Sequence, residues 1–147
     1  MTPTILAMDL EGTLISNAVS QIPRPGLSPF LGYARARFQQ LVIFTSVPKP
    51  LCRNICGLLV SEGVAPPWFE QLPYISWDGA TKDLRFVAPD VDKVLLLDDH
   101  APYVHPGQEN HWVEVSLFGA PYPEDDTGLA EARLRIEQRL SSRSFGK

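Results

Sequence analysis

Cysteine is scarce in this chain: Cys52 and Cys56 are its only two in 147 residues. They stand four apart in a helix-like stretch and fit neither a CxxC nor a zinc-ligand pattern. That argues against a disulfide framework or a structural zinc site, and both read as core-packing thiols. Long apolar runs are also missing. None approaches the roughly 18 residues needed to span a bilayer. Met1 to Met8 lacks the basic start and long apolar core of a signal peptide, so a cytoplasmic setting is expected. Positive charge is short as well: 13 Lys and Arg stand against 17 Asp and Glu, a net charge of -4. Such a balance supplies no basic field for nucleic acid or an anionic membrane surface. No internal repeat is visible.

What is present is an ordinary soluble composition, 44% hydrophobic and 20% charged. The length suits one domain, able to bury roughly 70% of its unfolded surface. We expect it over residues 1–140, with Ser141 to Lys147 as a short flexible tail. Thr4 to Met8 reads as a buried strand, Leu41 to Phe44 as a second, and Val94 to Leu97 as a third. His111 to Leu117 alternates as a further strand, and Tyr74 to Trp77 as a short one. Helical spacing predicts a helix from Leu27 to Gln39, and another starting near Pro48 or Pro50 and ending at Gly63. A short helix is expected within Thr81 to Phe86, and a closing one from Leu129 to Leu140 with Leu134 or the Arg133 stem toward the sheet. Continuous apolar strands separated by helices predict an α/β fold: a doubly wound, Rossmann-like parallel sheet with helices on both faces.

The polar residues gather where the strands end. Strand one runs into Asp9-Leu10-Glu11-Gly12-Thr13, strand two into Thr45-Ser46, and strand three into Asp98-Asp99. In a right-handed parallel sheet these ends share one edge, where open α/β sheets place their chemistry. Lys82 precedes strand three and falls near that edge if the chain returns there. Two carboxylates spaced as Asp9 and Glu11 can share a hard cation and leave an oxygen as nucleophile. Each residue also has a plain structural reading. Thr45-Ser46 suits a helix N-cap, Lys82 a surface lysine, and Asp98-Asp99 a polar turn. His100 fits a loop histidine, while Trp68, Phe69 and Tyr74 fit either core or a groove near Lys82. The conjunction carries the weight.

The order Asp-x-Glu-Gly-Thr, strand-Thr, Lys, strand-Asp-Asp resembles the haloacid dehalogenase-like superfamily of phosphohydrolases. Arg24-Pro25-Gly26-Leu27, Leu41 to Thr45, Lys82-Asp83-Leu84 and Val94 to Asp99 resemble its branch of RNA polymerase C-terminal-domain phosphatases and NLI-interacting-factor-like proteins. The resemblance extends from about Ile5 to Val115. It implies Asp9 as nucleophile forming an aspartyl-phosphate, and the residue two positions on, Glu11, as general acid/base. Thr45, Ser46, Lys82 and Gly12 would bind phosphate, and Asp9, Glu11, Asp98 and Asp99 would hold Mg²⁺. A phosphomonoester dianion repels a carboxylate, so Mg²⁺ and Lys82 must offset that charge before attack.

Glu11 departs from the family pattern, which has aspartate there. Its carboxylate overshoots by roughly a bond length unless it folds back, and proton transfer depends first on geometry. Neither Thr13 to Pro25 nor Thr45 to Lys82 has room for a separate cap domain. An open site suits a phosphate on a protein side chain or another large molecule. The expected activity is Mg²⁺-dependent phosphomonoester hydrolysis. The alternative is a weak or inactive phosphatase-like domain that binds a protein, as in a mitochondrial import component of the same branch.

Overall fold

The computed structural model describes residues 2–145. Its centre is a four-stranded sheet, all parallel, in the order β2-β1-β3-β4. The strands are β1 (Ile5–Met8), β2 (Gln40–Ile43), β3 (Val94–Asp98) and β4 (Trp112–Glu114). Buried on both faces, β1 and β3 use apolar residues without alternation, as central parallel strands must. β1 lies between β2 and β3, with Met8 level with Ile43 and Leu97. The residues following all three therefore emerge side by side.

Three α-helices follow: α1 (Leu27–Arg37), α2 (Lys49–Ser61) and α3 (Gly128–Phe145). Their buried faces, among them Phe30 and Leu31, Ile55 and Leu59, and Ala132 and Ile136, join one apolar cluster with Leu6, Met8, Leu95 and Leu97. The opposite sheet face, with Ala7, Val42 and Leu96, packs against Leu84, Trp77 and Val87. That cover is built from the 74–91 segment and short 3₁₀ turns rather than the expected α-helix. A turn this short still hides a large side chain, as Leu84 demonstrates.

Several sequence expectations need correction. Tyr74 makes only an isolated bridge to Ile43, because Pro73 lacks the amide to extend a ladder. β4 stops at Glu114, after which the chain leaves the ladder. The segment Thr81 to Phe86 holds a single 3₁₀ turn, Leu84–Phe86. α3 runs on through Phe145, so the tail expected from Ser141 is helical that far, and the rest lies outside the described residues. Leu134 points outward at 64% exposure; Leu129, Ala132, Ile136 and Leu140 face the core instead. Thr45 and Ser46 do not cap α2, which starts at Lys49 with Pro48 as its cap residue. Cys52 and Cys56 are buried on α2 as core thiols.

Candidate active site

Asp9 leaves β1 with its amide bonded to the Leu97 carbonyl at 2.9 Å, which sets it against the end of β3. Asp98 closes β3 and is wholly buried; Asp9 is only 4% exposed. Lys82 lies between them, equally buried. Its Nζ donates to Asp9 Oδ1 at 3.0 Å and to Asp98 Oδ2 at 2.6 Å. The lysine reaches this point because its amide donates to the Tyr103 carbonyl at 2.7 Å, pinning the 81–84 segment beside the loop after β3. The rings of Tyr103 and Phe44 flank the ammonium at 4.8 and 5.8 Å, which supports the cation electrostatically. The surface-lysine and polar-turn readings are thereby removed.

Burial pushes the Asp9 carboxyl well above its ordinary range, Lys82 opposes that, and Asp98 adds to it. Burial likewise raises Asp98 against the pull of Lys82. Burial alone would depress the Lys82 amine, but Asp9 and Asp98 outweigh it and hold the amine above its usual value. Asp99, half-buried, completes the cluster. Carboxylate oxygens of Asp9, Asp98 and Asp99 lie within 4.8 Å of one another. The Thr13 hydroxyl bridges Asp9 Oδ2 at 3.1 Å and Asp99 Oδ1 at 3.0 Å, with one proton for two acceptors. Three converging carboxylates against one ammonium leave a surplus of negative charge away from bulk water. An all-oxygen donor set of that charge fits a hard divalent cation such as Mg²⁺.

The remaining expected residues divide. Gly12 sits at φ 77°, and a Cβ there would lie 2.8 Å from both Asp99 Oδ2 and Leu117 Cδ1. Glycine is therefore what lets Asp99 close over the loop. Its amide is engaged inside the loop, donating to the Ile15 and Ser16 carbonyls at 2.8 and 3.2 Å. Thr45 is buried; its Oγ1 accepts from the Val47 amide at 3.1 Å and keeps its own proton to donate. Ser46 is exposed beside it. The Glu11 carboxylate turns away from the cluster and accepts from the Ala18 amide at 2.6 Å. It is absent from the set of converging metal-competent acids.

Two further residues belong to the site without a role evident from sequence: Thr13, in Asp9-Leu10-Glu11-Gly12-Thr13, and Arg24, in Arg24-Pro25-Gly26-Leu27. Arg24 is fully buried. Its guanidinium donates to the carbonyls of Gly12 and Thr13 at 3.3 and 3.2 Å, to Ser116 at 3.0 Å, and to Asp126 at 2.7 Å. It clamps the loop after β1 to the segment that starts α3. The one usable signal was an arginine between apolar stretches, immediately before Pro25 and Gly26. Of the three aromatics in question, Phe69 is core, Trp68 stacks with Arg35, and only Tyr74 lines a cleft beside Thr45.

A parallel α/β sheet whose central strand ends in Asp9, faced by Lys82 and Asp98, defines a member of the haloacid dehalogenase-like superfamily. Within it, the chain belongs to the NLI interacting factor-like phosphatase family, whose model matches residues 4–144. It is 27% identical over 126 residues to mitochondrial import inner membrane translocase subunit tim50 of Aspergillus fumigatus, covering 81% of this chain and 25% of that protein. The tim50 subunit of Emericella nidulans matches equally, with 24% of its length covered. The chain thus spans about a quarter of these curated relatives. Among solved structures, a variant of fission yeast RNA polymerase II CTD phosphatase Fcp1 bound to beryllium fluoride superposes with a TM-score of 0.56. The two share 15% identity over 96% of this chain and 51% of that one, a likeness of fold.

Proposed function

We propose that this domain is a Mg²⁺-dependent phosphomonoester hydrolase that acts on phosphate carried by a protein, with Asp9 as nucleophile. The observation that carries the reading is the buried Asp9–Lys82–Asp98 set, in which one ammonium is shared by two carboxylates at 3.0 and 2.6 Å. Asp9, Asp98 and Asp99 would hold Mg²⁺, which when bound offsets charge on the phosphoryl oxygens. Lys82 holds Asp9 in place and presents a cation to the same oxygens, and the Thr45 hydroxyl donates to them. An Asp9 carboxylate oxygen attacks phosphorus, the P–O bond to the alcohol breaks, and the leaving oxygen takes a proton from solvent water. Water then cleaves the aspartyl-phosphate, releasing inorganic phosphate and restoring Asp9. Membership of a phosphatase family supports this chemistry. The segments from Thr13 to Pro25 and from Thr45 to Lys82 are too short to hold a separate cap domain, which supports a macromolecular substrate.

A second reading has its own observation. Glu11, the family's acid/base position, is bonded to the Ala18 amide, and the tim50 relatives are named as subunits of a translocase. Under it, the domain binds a protein and turns over slowly. Hydrolysis of p-nitrophenyl phosphate with Mg²⁺ and with chelator, beside Asp9→Asn, tests the two. Mg²⁺-dependent turnover abolished by Asp9→Asn supports the enzyme. Turnover undiminished in that variant removes Asp9 as nucleophile, and silence from every form favours the binder.

A further inference from the structure

A cleft of about 360 Å³ opens beside the phosphate end of the site, lined by Thr45, Ser46 and Lys49 from one segment of the chain and by Tyr74, Trp77 and Asp78 from another. It is pre-formed. The Trp77 indole donates to the Thr45 carbonyl at 2.8 Å, and the Tyr74 hydroxyl to the Val47 carbonyl at 2.6 Å. Both aromatic polar handles are thus spent on tying the two segments together, and the Trp77 ring is held edge-on against Phe44 and Tyr103. The cleft adjoins the chemistry. Thr45 belongs to both, and Trp77 packs edge-on against Tyr103 at 5.9 Å, whose ring lies 4.8 Å from Lys82 Nζ. An extended peptide advances about 3.3 Å per residue. Because Thr45 is common to the site and the cleft, the residues that flank the phosphorylated one are those placed at the cleft.

Two charges line this cleft, and neither has a hydrogen bond or ion pair among the described residues: the Lys49 ammonium and the Asp78 carboxylate. They stand too far apart to pair with each other. Lys49 lies on the segment that carries Thr45, whereas Asp78 lies on the separate segment that carries Trp77. An anion seated toward Lys49 gains an ion pair, whereas one seated toward Asp78 meets a like charge, so the cleft distinguishes register as well as sign.

Resting on the phosphatase reading, we propose that this cleft selects phosphopeptides with an anionic side chain one or two residues from the phosphorylated one, and that Lys49 is the specificity-determining residue. The anion is a carboxylate or a second phosphate.

The test uses the whole chain with Mg²⁺ and a set of peptides bearing a non-hydrolysable phosphonate analogue of phosphoserine. Glutamate is placed in turn at each of the two positions on either side, in an otherwise neutral sequence, and affinity is read by calorimetry. We expect glutamate at one position to tighten binding by about threefold to tenfold, a surface ion pair's worth. Lys49→Glu should erase that gain and favour lysine at the same position. Lys49→Gln, which should erase the gain alone, serves if the reversal fails to fold by circular dichroism. Phosphoserine at the responsive position separates the sources: further tightening assigns a second phosphate, and none assigns a carboxylate. No measurable peptide binding, no position responding by more than twofold, or a response that survives in Lys49→Gln overturns the proposal. Affinity for a phosphonate needs no turnover, so p-nitrophenyl phosphate hydrolysis by the same preparation judges the phosphatase reading separately.

Discussion

Glu11 is the residue on which the proposed activity turns. Its carboxylate accepts from the Ala18 amide at 2.6 Å, so the side chain anchors a loop and stands outside the converging acids. Shortening it reverses that choice. Glu11→Asp should raise p-nitrophenyl phosphate turnover by about 10²-fold, the lower end of what a positioned acid contributes. Steady-state kinetics decide this, and a fall would show that glutamate acts after release from Ala18. The placement of the candidate residues was legible because each follows an apolar strand or lies in a motif: Asp9, Thr45, Lys82 and Asp98 all stand at the shared edge. Their partners could not. Thr13 meets Asp99 across 86 positions of sequence, and Lys82 meets Asp9 across 73. Only the folded sheet supplies such proximity, and the reach of one methylene has no local sequence signature.

Strands and helices announced themselves by apolar run and spacing, and failed where backbone accounting took over. β1 and β3 came within a residue of their expected bounds because burial on both faces demands unbroken apolar sequence. The Tyr74 stretch has the same composition, yet Pro73 removes the amide needed to extend pairing. Thr45 resembled a helix cap, but Pro48 and Pro50 suit the first turn and move the start of α2 past it. The start of α3 is fixed just as firmly by packing. A Cβ at Gly128 would stand 1.8 Å from an Arg24 guanidinium nitrogen. Gly128→Ala should therefore cost about 1–3 kcal/mol in urea denaturation, an overpacking penalty. The same junction sets the acid response. Burial alone would raise Asp126, but Arg24 and the Gly128 amide outweigh it and hold the carboxyl below its ordinary range. A depressed carboxyl contributes stability above its unfolded pKa, near 4, and loses it as the pH falls through the lower folded value. Between pH 5 and pH 2.5 the parent protein should lose stability more steeply than Asp126→Asn, and the two curves should converge at the acid end.

The molecule as a whole gathers three carboxylates around one ammonium at one end of its sheet, and a cation that offsets the excess should stabilise the fold. At about 100 times its dissociation constant, Mg²⁺ should add about 2.7 kcal/mol. For a chain of this size that raises the melting temperature by roughly 5–10 °C. Differential scanning calorimetry with Mg²⁺ and with chelator measures it; Asp98→Asn should lose most of the shift, and an indifferent parent protein would remove the metal. No helix among the described residues is long and apolar enough to cross a membrane. The sheet order could not be read from the chain, because pairing between strands so distant in sequence is set by how the connections pack. Arg24 gives that arrangement a consequence in time. During synthesis the ribosome delivers Asp9, Thr45, Lys82 and Asp98 well before Asp126 and Gly128. Until α3 emerges and docks, the nascent chain carries each candidate group without the Asp126 contact through which Arg24 clamps Gly12 and Thr13. Maturation of the site is thereby coupled to completion of the fold.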